Sequence, residues 1–176
     1  MSDSELDVKW MQYAMALAEK AEAQGEIPVG AVIVKEDEVL GEGWNQPITL
    51  HDSTAHAEIV AIRNAGKNIA NYRLVGSTIY VTLEPCPMCA GAIIHSRIAR
   101  LVYGAQDYKT GAVGSVMNLL QHDSNNHKVD FTSGLLEQQC SHQISAFFKK
   151  RRVEIKAAKE NKTLKDDVNI DDDQID

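Results

Sequence analysis

His56-Ala57-Glu58 and Pro85-Cys86-Pro87-Met88-Cys89 hold the residue types in this chain best suited to chemistry. Together they offer one imidazole and two thiols as metal donors, with a carboxylate beside them. Three protein donors leave one tetrahedral position of a zinc ion open, and an open position is where water becomes a nucleophile. Zinc sites that only hold a fold together are closed by four donors. The pattern therefore points to hydrolytic zinc chemistry.

Spacing says how these residues meet. Cys86 and Cys89 are three apart, so on a helix both thiols face one way. They fall in a first turn, where the helix dipole favours thiolate. His56 and Glu58 are two apart and would diverge on a regular helix, so the pair is expected to straddle a helix start. Two helix N-termini would then converge on one cation, whose charge adds to theirs in favouring hydroxide over water. Each half alone is a weak signal. A CxxC also serves as a redox pair or half a zinc knuckle, and a His-x-Glu arises by chance. A thioredoxin-like role for the thiols leaves His56 and Glu58 without a task. Jointly, each half opens an expected helix, and Pro85-Cys86 comes directly off an expected strand.

The elements that must position them read as alternating α/β. Leu6, Trp10, Ala14, Leu17 and Ala21 share one face of an opening helix, with Gly25 as its stop. Val29 to Val34 is an apolar run suited to a strand buried on both faces. The polar turn from Lys35 to Glu38 leads into a second strand, Val39 to Trp44, as a hairpin. Asp52, Ser53 and Thr54 offer N-caps for a helix reaching about Asn64. Thr78 to Leu83 is β-branched and aromatic, hence a third strand. Cys86 to Ser96 reads as a helix with Pro87 in its first turn, and Ile98 to Tyr103 as a fourth strand. Strand, helix, strand implies a right-handed parallel crossover. Further on, Ser115 to Leu120 is expected as a short helix and Lys128 to Thr132 as a fifth strand. Leu136, Cys140, Ile144 and Phe147 mark the inner face of a C-terminal helix.

Composition sets the outer limits. A chain of 176 residues fits one domain with a real core. Cys86, Cys89 and Cys140 cannot make an even disulfide framework, which suits a reducing, cytoplasmic setting. No stretch reads as a signal peptide or a membrane span. The net charge is −7 and unevenly placed. Residues 157–176 carry Lys159, Lys162 and Lys165 against Glu160 and six aspartates, net −4, and are expected to form an acidic, disordered tail beyond a 1–156 domain. Just before it lies a basic cluster, Lys149, Lys150, Arg151, Arg152 and Lys156, interrupted by Glu154. Such a cluster suits a solvated helix end, and it also suits a polyanion, since local fields steer binding more than net charge does.

H-x-E followed by P-C-x-x-C is the signature of zinc-dependent nucleobase deaminases. The chain resembles the bacterial-type tRNA-specific adenosine deaminases of the cytidine deaminase superfamily from about Val8 to Lys156. Ile27-Pro28-Val29-Gly30-Ala31-Val32, Gly41-Glu42-Gly43-Trp44-Asn45, Thr54-Ala55-His56-Ala57-Glu58 and Tyr80-Val81-Thr82-Leu83-Glu84-Pro85-Cys86 carry the likeness. Cys89-Ala90-Gly91-Ala92 and His95-Ser96-Arg97-Ile98 extend it. Gly104-Ala105, Asp107, Lys109-Thr110-Gly111-Ala112 and the C-terminal helix favour the tRNA enzymes over deaminases of free bases or nucleosides.

The resemblance implies a three-layer α/β/α sandwich with a central five-stranded mixed sheet. It implies one Zn²⁺ per subunit on His56, Cys86 and Cys89, with Glu58 moving protons between the attacking water, adenine N1 and the leaving ammonia. The substrate implied is the wobble adenosine of a tRNA anticodon loop, a base already unpaired and so cheaper to extrude than one in a duplex. The backbone amide of Ala57, the carbonyl of Glu84 and the side chain of Asn45 correspond to groups around the base, and Val29 to the pocket wall. Asp107 corresponds to a position contacting sugar or loop backbone, where a carboxylate can accept from a 2′-hydroxyl. Lys109, Arg151 and Arg152 are candidate phosphate contacts, and Phe148 a candidate stacking surface. The family is homodimeric. Two other readings stay open: a small-molecule deaminase with the same zinc chemistry, and a zinc-stabilised RNA-binding module without catalysis.

Overall fold

The structure, a computed structural model, describes the backbone of residues 3–171 and the side chains of 4–161. Five strands form one sheet in the order β2-β1-β3-β4-β5. They are β1 (Gly30–Lys35), β2 (Glu38–Trp44), β3 (Thr78–Leu83), β4 (Arg100–Ala105) and β5 (Asp130–Thr132). The helices are α1 (Asp3–Ala23), α2 (Pro47–Leu50), α3 (Ala57–Asn68), α4 (Pro87–His95) and α5 (Glu137–Asp171). β1 runs antiparallel to both β2 and β3, whereas β3, β4 and β5 are parallel. The sheet is therefore mixed, and β3–α4–β4 is the expected parallel crossover.

Alternation along the strands sorts side chains to two faces. Ala31, Ile33, Ile79, Val81, Leu101 and Tyr103 meet α3 and α4 through Ala57, Ala61, Ala65, Ala90 and Ile93. Val32, Val34, Tyr80 and Val102 meet α1 through Trp10, Met11, Ala14 and Leu17, with Cys140 at the start of α5. Helix layers thus cover both faces, which gives the three-layer arrangement. The predicted face of α1 is buried except for half-buried Leu6, and Met11 and Ala18 join it.

Several elements differ from the sequence reading. α3 begins at Ala57 with His56 as its N-cap, not at Asp52, Ser53 or Thr54. Asp52 instead accepts from the Thr54 amide at 2.8 Å and the Thr54 hydroxyl at 2.7 Å, closing the turn before the helix. Ser115–Leu120 is not a helix: Gly114 has φ 137°, Val113 bridges Asn118, and the Ser115 amide is taken by a distant carboxylate. β4 starts two residues later than expected. After Lys156 the helical backbone continues through Asp171, where Ala157, Ala158 and Lys159 are good helix formers and Lys156 lies 3.9 Å from Glu160. Residues 172–176 lie outside the described residues. The chain divides into two compact units, residues 1–144 and 145–176. The second holds one helical stretch in which the Phe147 and Phe148 rings meet edge to face at 5.6 Å.

Candidate active site

Two loop-to-helix junctions build the site. His56 is the N-cap of α3 and Cys86 the N-cap of α4, and neither side chain caps its own helix. Both are therefore free to point at something else. Cys89 follows in the first turn of α4, with Pro87 at its start. The Sγ atoms of Cys86 and Cys89 each lie 3.6 Å from His56 Nδ1. The three donor atoms are mutually within 4.8 Å. Among the described residues they form the metal-capable group, and Glu58 is not one of its donors. One imidazole and two thiols, half-buried or buried, are a donor set suited to zinc with an open fourth position.

The electrostatics follow from that crowding. The Cys86 thiol is pulled down to about 4, first by its hydrogen bond with Cys89 and then by His56. The Cys89 thiol is pushed up, first by the same bond and then by burial. His56 is held above its ordinary value, chiefly by its hydrogen bond with Cys86. These shifts describe a negative charge concentrated between two helix N-termini, which is where a cation is favoured.

Glu58, in the first turn of α3, is 4% exposed. Burial pushes its carboxyl up to about 7, against the pull of a backbone amide and of His56. Cys89 is also hydrogen-bonded to it. A buried acid that exchanges its proton near neutrality, next to three metal donors, has the equipment for proton transfer.

Around this centre the structure places the other expected residues. Asn45, at the end of β2, accepts from the Ala57 amide through Oδ1 at 2.9 Å. Both are buried, and Asn45 Oδ1 occupies the very N–H expected to face the base. Val29 is buried, and its carbonyl accepts from the Asn45 amide at 3.0 Å. The chain from Val29 through Asn45 to Ala57 is thus one hydrogen-bonded run. Glu26, 2% exposed, accepts from the Thr49 amide at 2.7 Å and its hydroxyl at 2.9 Å, holding α2 in the segment that leads to His56.

Asp107 caps its own loop: it accepts from the Lys109 amide at 2.9 Å, the Thr110 amide at 3.1 Å and the Thr110 hydroxyl at 2.7 Å. Despite burial, which works the other way, these bonds hold its carboxyl below its ordinary value. Lys109 is exposed. Phe148, Arg151 and Arg152 belong to the second unit, where all three are exposed and Arg151 pairs with Glu154 at 3.4 Å. The sequence reading singled out the carbonyl of Glu84 and overlooked its carboxylate, which is 2% exposed and fully engaged. An acid at the end of an apolar strand is the signal that could have drawn attention to it.

Residues 4–105 match the family model of the cytidine and deoxycytidylate deaminase zinc-binding region. A tRNA-specific adenosine deaminase of Haemophilus influenzae is 60% identical over 157 residues, 89% of this chain and 91% of its own. One from Bacillus subtilis is 46% identical over 155 residues, 88% of this chain and 96% of its own. A chain solved in studies of A-to-I editing by tRNA:A34 deaminases at the wobble position superposes with a TM-score of 0.74. It is 43% identical and covers 77% of this chain and 98% of its own. On these grounds the chain belongs to the tRNA-specific adenosine deaminase family, within the zinc-binding cytidine and deoxycytidylate deaminases.

Proposed function

We propose that this protein deaminates adenosine to inosine at the wobble position of a tRNA anticodon loop. The observation that carries the reading is Glu58: a carboxyl 4% exposed, poised at about 7, beside a three-donor group that it does not join. His56, Cys86 and Cys89 would hold one zinc, which supplies the Lewis acidity that makes water nucleophilic at neutral pH.

The chain's own residues do the rest. Glu58 accepts the proton of the attacking water and delivers it to adenine N1. Attack at C6 then gives a tetrahedral centre. Glu58, again unprotonated, takes the proton of the new C6 hydroxyl and passes it to the amino group, which leaves as ammonia while C6=O forms. Asn45, with Oδ1 already committed to Ala57, has its Nδ2 hydrogens left to donate to an acceptor on the purine edge. The Ala57 amide and Glu84 carbonyl border the base, and Val29 forms part of the wall. Asp107 keeps unused lone pairs for a 2′-hydroxyl. Lys109, Arg151 and Arg152 contact phosphates, and Phe148 stacks on a loop base. Two copies of the chain form the working enzyme. A tRNA substrate and reduced thiol ligands both fit a cytoplasmic setting, and no described helix is long and apolar enough to cross a membrane.

The test is to incubate purified protein with bulk tRNA and, separately, with free adenosine, cytidine and guanine. Inosine at the wobble site with the free compounds untouched is the expected result. Turnover of a free base or nucleoside with tRNA unchanged would replace this reading by a small-molecule deaminase.

A further inference from the structure

The Glu84 side chain stands outside the proton chemistry, yet it is among the most fully bonded groups in the molecule. It ends the β3 segment, and its own amide donates to the Ala105 carbonyl at 2.8 Å. Oε1 accepts from the amides of Val113 and Ser115, each at 3.0 Å. Oε2 accepts from the Asp107 amide at 3.0 Å and from the Ser115 hydroxyl. Three backbone amides and a hydroxyl, spread over nine residues of chain, thus converge on one buried carboxylate. Gly111 closes over it so tightly that a Cβ there would lie 2.5 Å from Oε2. A further tie runs from the Ala112 amide to the Pro85 carbonyl at 2.9 Å, immediately before Cys86. The 107–115 loop is therefore built directly on the strand end that leads into the metal donors. Its outer residues, Tyr108, Lys109 and Thr110, are exposed.

We infer that Glu84 is a positioning residue for RNA binding: its carboxylate holds the 107–115 loop at the rim of the site, so that Asp107 and Lys109 meet the nucleotides flanking the reacting base. This role rests on the proposed function, because it needs RNA at that rim. The chemistry of the anchor makes the role specific to a carboxylate. Each oxygen serves two donors, so an amide in either orientation turns an NH₂ toward at least one buried N–H. The Ser115 hydroxyl can reverse and accept, but the backbone amides cannot.

The experiment compares Glu84→Gln and Ser115→Ala with the wild type, all checked for zinc content. Hydrogen exchange on the free proteins reads the anchor without RNA. The amides of Asp107, Val113 and Ser115 should exchange about tenfold faster in Glu84→Gln, with β1 and α3 unchanged. Steady-state kinetics on an anticodon stem–loop read the consequence. KM should rise about tenfold with kcat within about threefold and zinc content unaltered. Ser115→Ala, which removes one hydroxyl and introduces no donor, should shift both readouts the same way by less, and it stands in if Glu84→Gln does not fold. In an Asp107→Ala background, Glu84→Gln should add little, since both act through one loop. Unchanged loop exchange, a fall in kcat with KM unmoved, or full additivity with Asp107→Ala would each overturn the inference. Wild-type turnover of the same stem–loop judges the proposed function separately.

Discussion

Glu58 is 4% exposed and Glu84 2%, but their partners differ in kind. Four N–H and O–H groups surround the Glu84 carboxylate. Glu58 is mainly desolvated, and its carboxyl is pushed up to about 7. One is therefore a fixed hydrogen-bond acceptor, and the other is suited to the proposed proton transfer. Replacing Glu58 with Ala should leave zinc content and fold intact and lower inosine formation by at least about 10²-fold, as measured by metal analysis and single-turnover assay. Cys86→Ala should lose the metal, because it removes one of the three donors found among the described residues. Zinc content and thermal midpoint should both fall, and a variant that retains one zinc per chain would remove Cys86 from the ligand set. The types and spacing of these residues made the metal group legible in the sequence. The Glu84 anchor was not, because its donors lie 23 to 31 residues away and nothing local encodes them.

At the scale of elements, β2 and α3 are in such close contact that only hydrogen fits between them at two positions. A Cβ on Gly43 would lie 2.4 Å from the Ala57 carbonyl oxygen and 2.5 Å from the Ala61 nitrogen, and one on Gly41 2.4 Å from the Ala65 nitrogen. Ala57, Ala61 and Ala65 form the facing stripe of α3. This seam sets the height of His56 and Glu58 above the sheet. Gly43→Ala should cost about 1–3 kcal/mol in denaturant unfolding and reduce turnover as well, because the helix must lift. Gly91→Ala in α4, where a Cβ meets nothing within 4 Å, should instead be neutral or gain about 0.5–1 kcal/mol. β3 was readable to its last residue, since Thr78 to Leu83 is a β-branched and aromatic run between turn residues. The start of α3 was not: Asp52 and Thr54 are good caps by type, but they cap a turn, and the helix waits for the residue that the metal group needs. Ser115–Leu120 misled for a similar reason, because a tertiary bond to Glu84 overrides local propensity.

Across the whole molecule, one polar cluster ties α1 to three strands. Asp7 accepts from both Arg100 guanidinium nitrogens, at 2.9 and 2.7 Å, and from the Tyr80 hydroxyl at 2.8 Å. Arg100 also reaches the Thr132 hydroxyl at 2.9 Å. Burial raises the Asp7 carboxyl, but the Arg100 and Tyr80 bonds together outweigh it and leave it below its ordinary 3.8. A lowered folded-state value means that the ionised form is the stabilising one. Its contribution is complete above about pH 4–5 and is lost as pH falls through the folded value. Asp7→Asn should cost about 1–3 kcal/mol at pH 7, and the gap to wild type should close in unfolding curves taken below pH 3.8. The acidic segment 157–176 is proposed as a solubilising extension. Removing it should leave wobble deamination within about twofold, since a net of −4 offers nothing to a polyanion.

The bond between Asn45 Oδ1 and the Ala57 amide fixes which way that side chain can turn. With the oxygen held, only the Nδ2 hydrogens are left over, so Asn45 can greet an acceptor but not a donor. On the proposed function, a ring that presents a C–H or an N–H there would leave this buried NH₂ without a partner. Selection among visiting bases would thus start from the fixed orientation of one amide, before any bond to carbon is made.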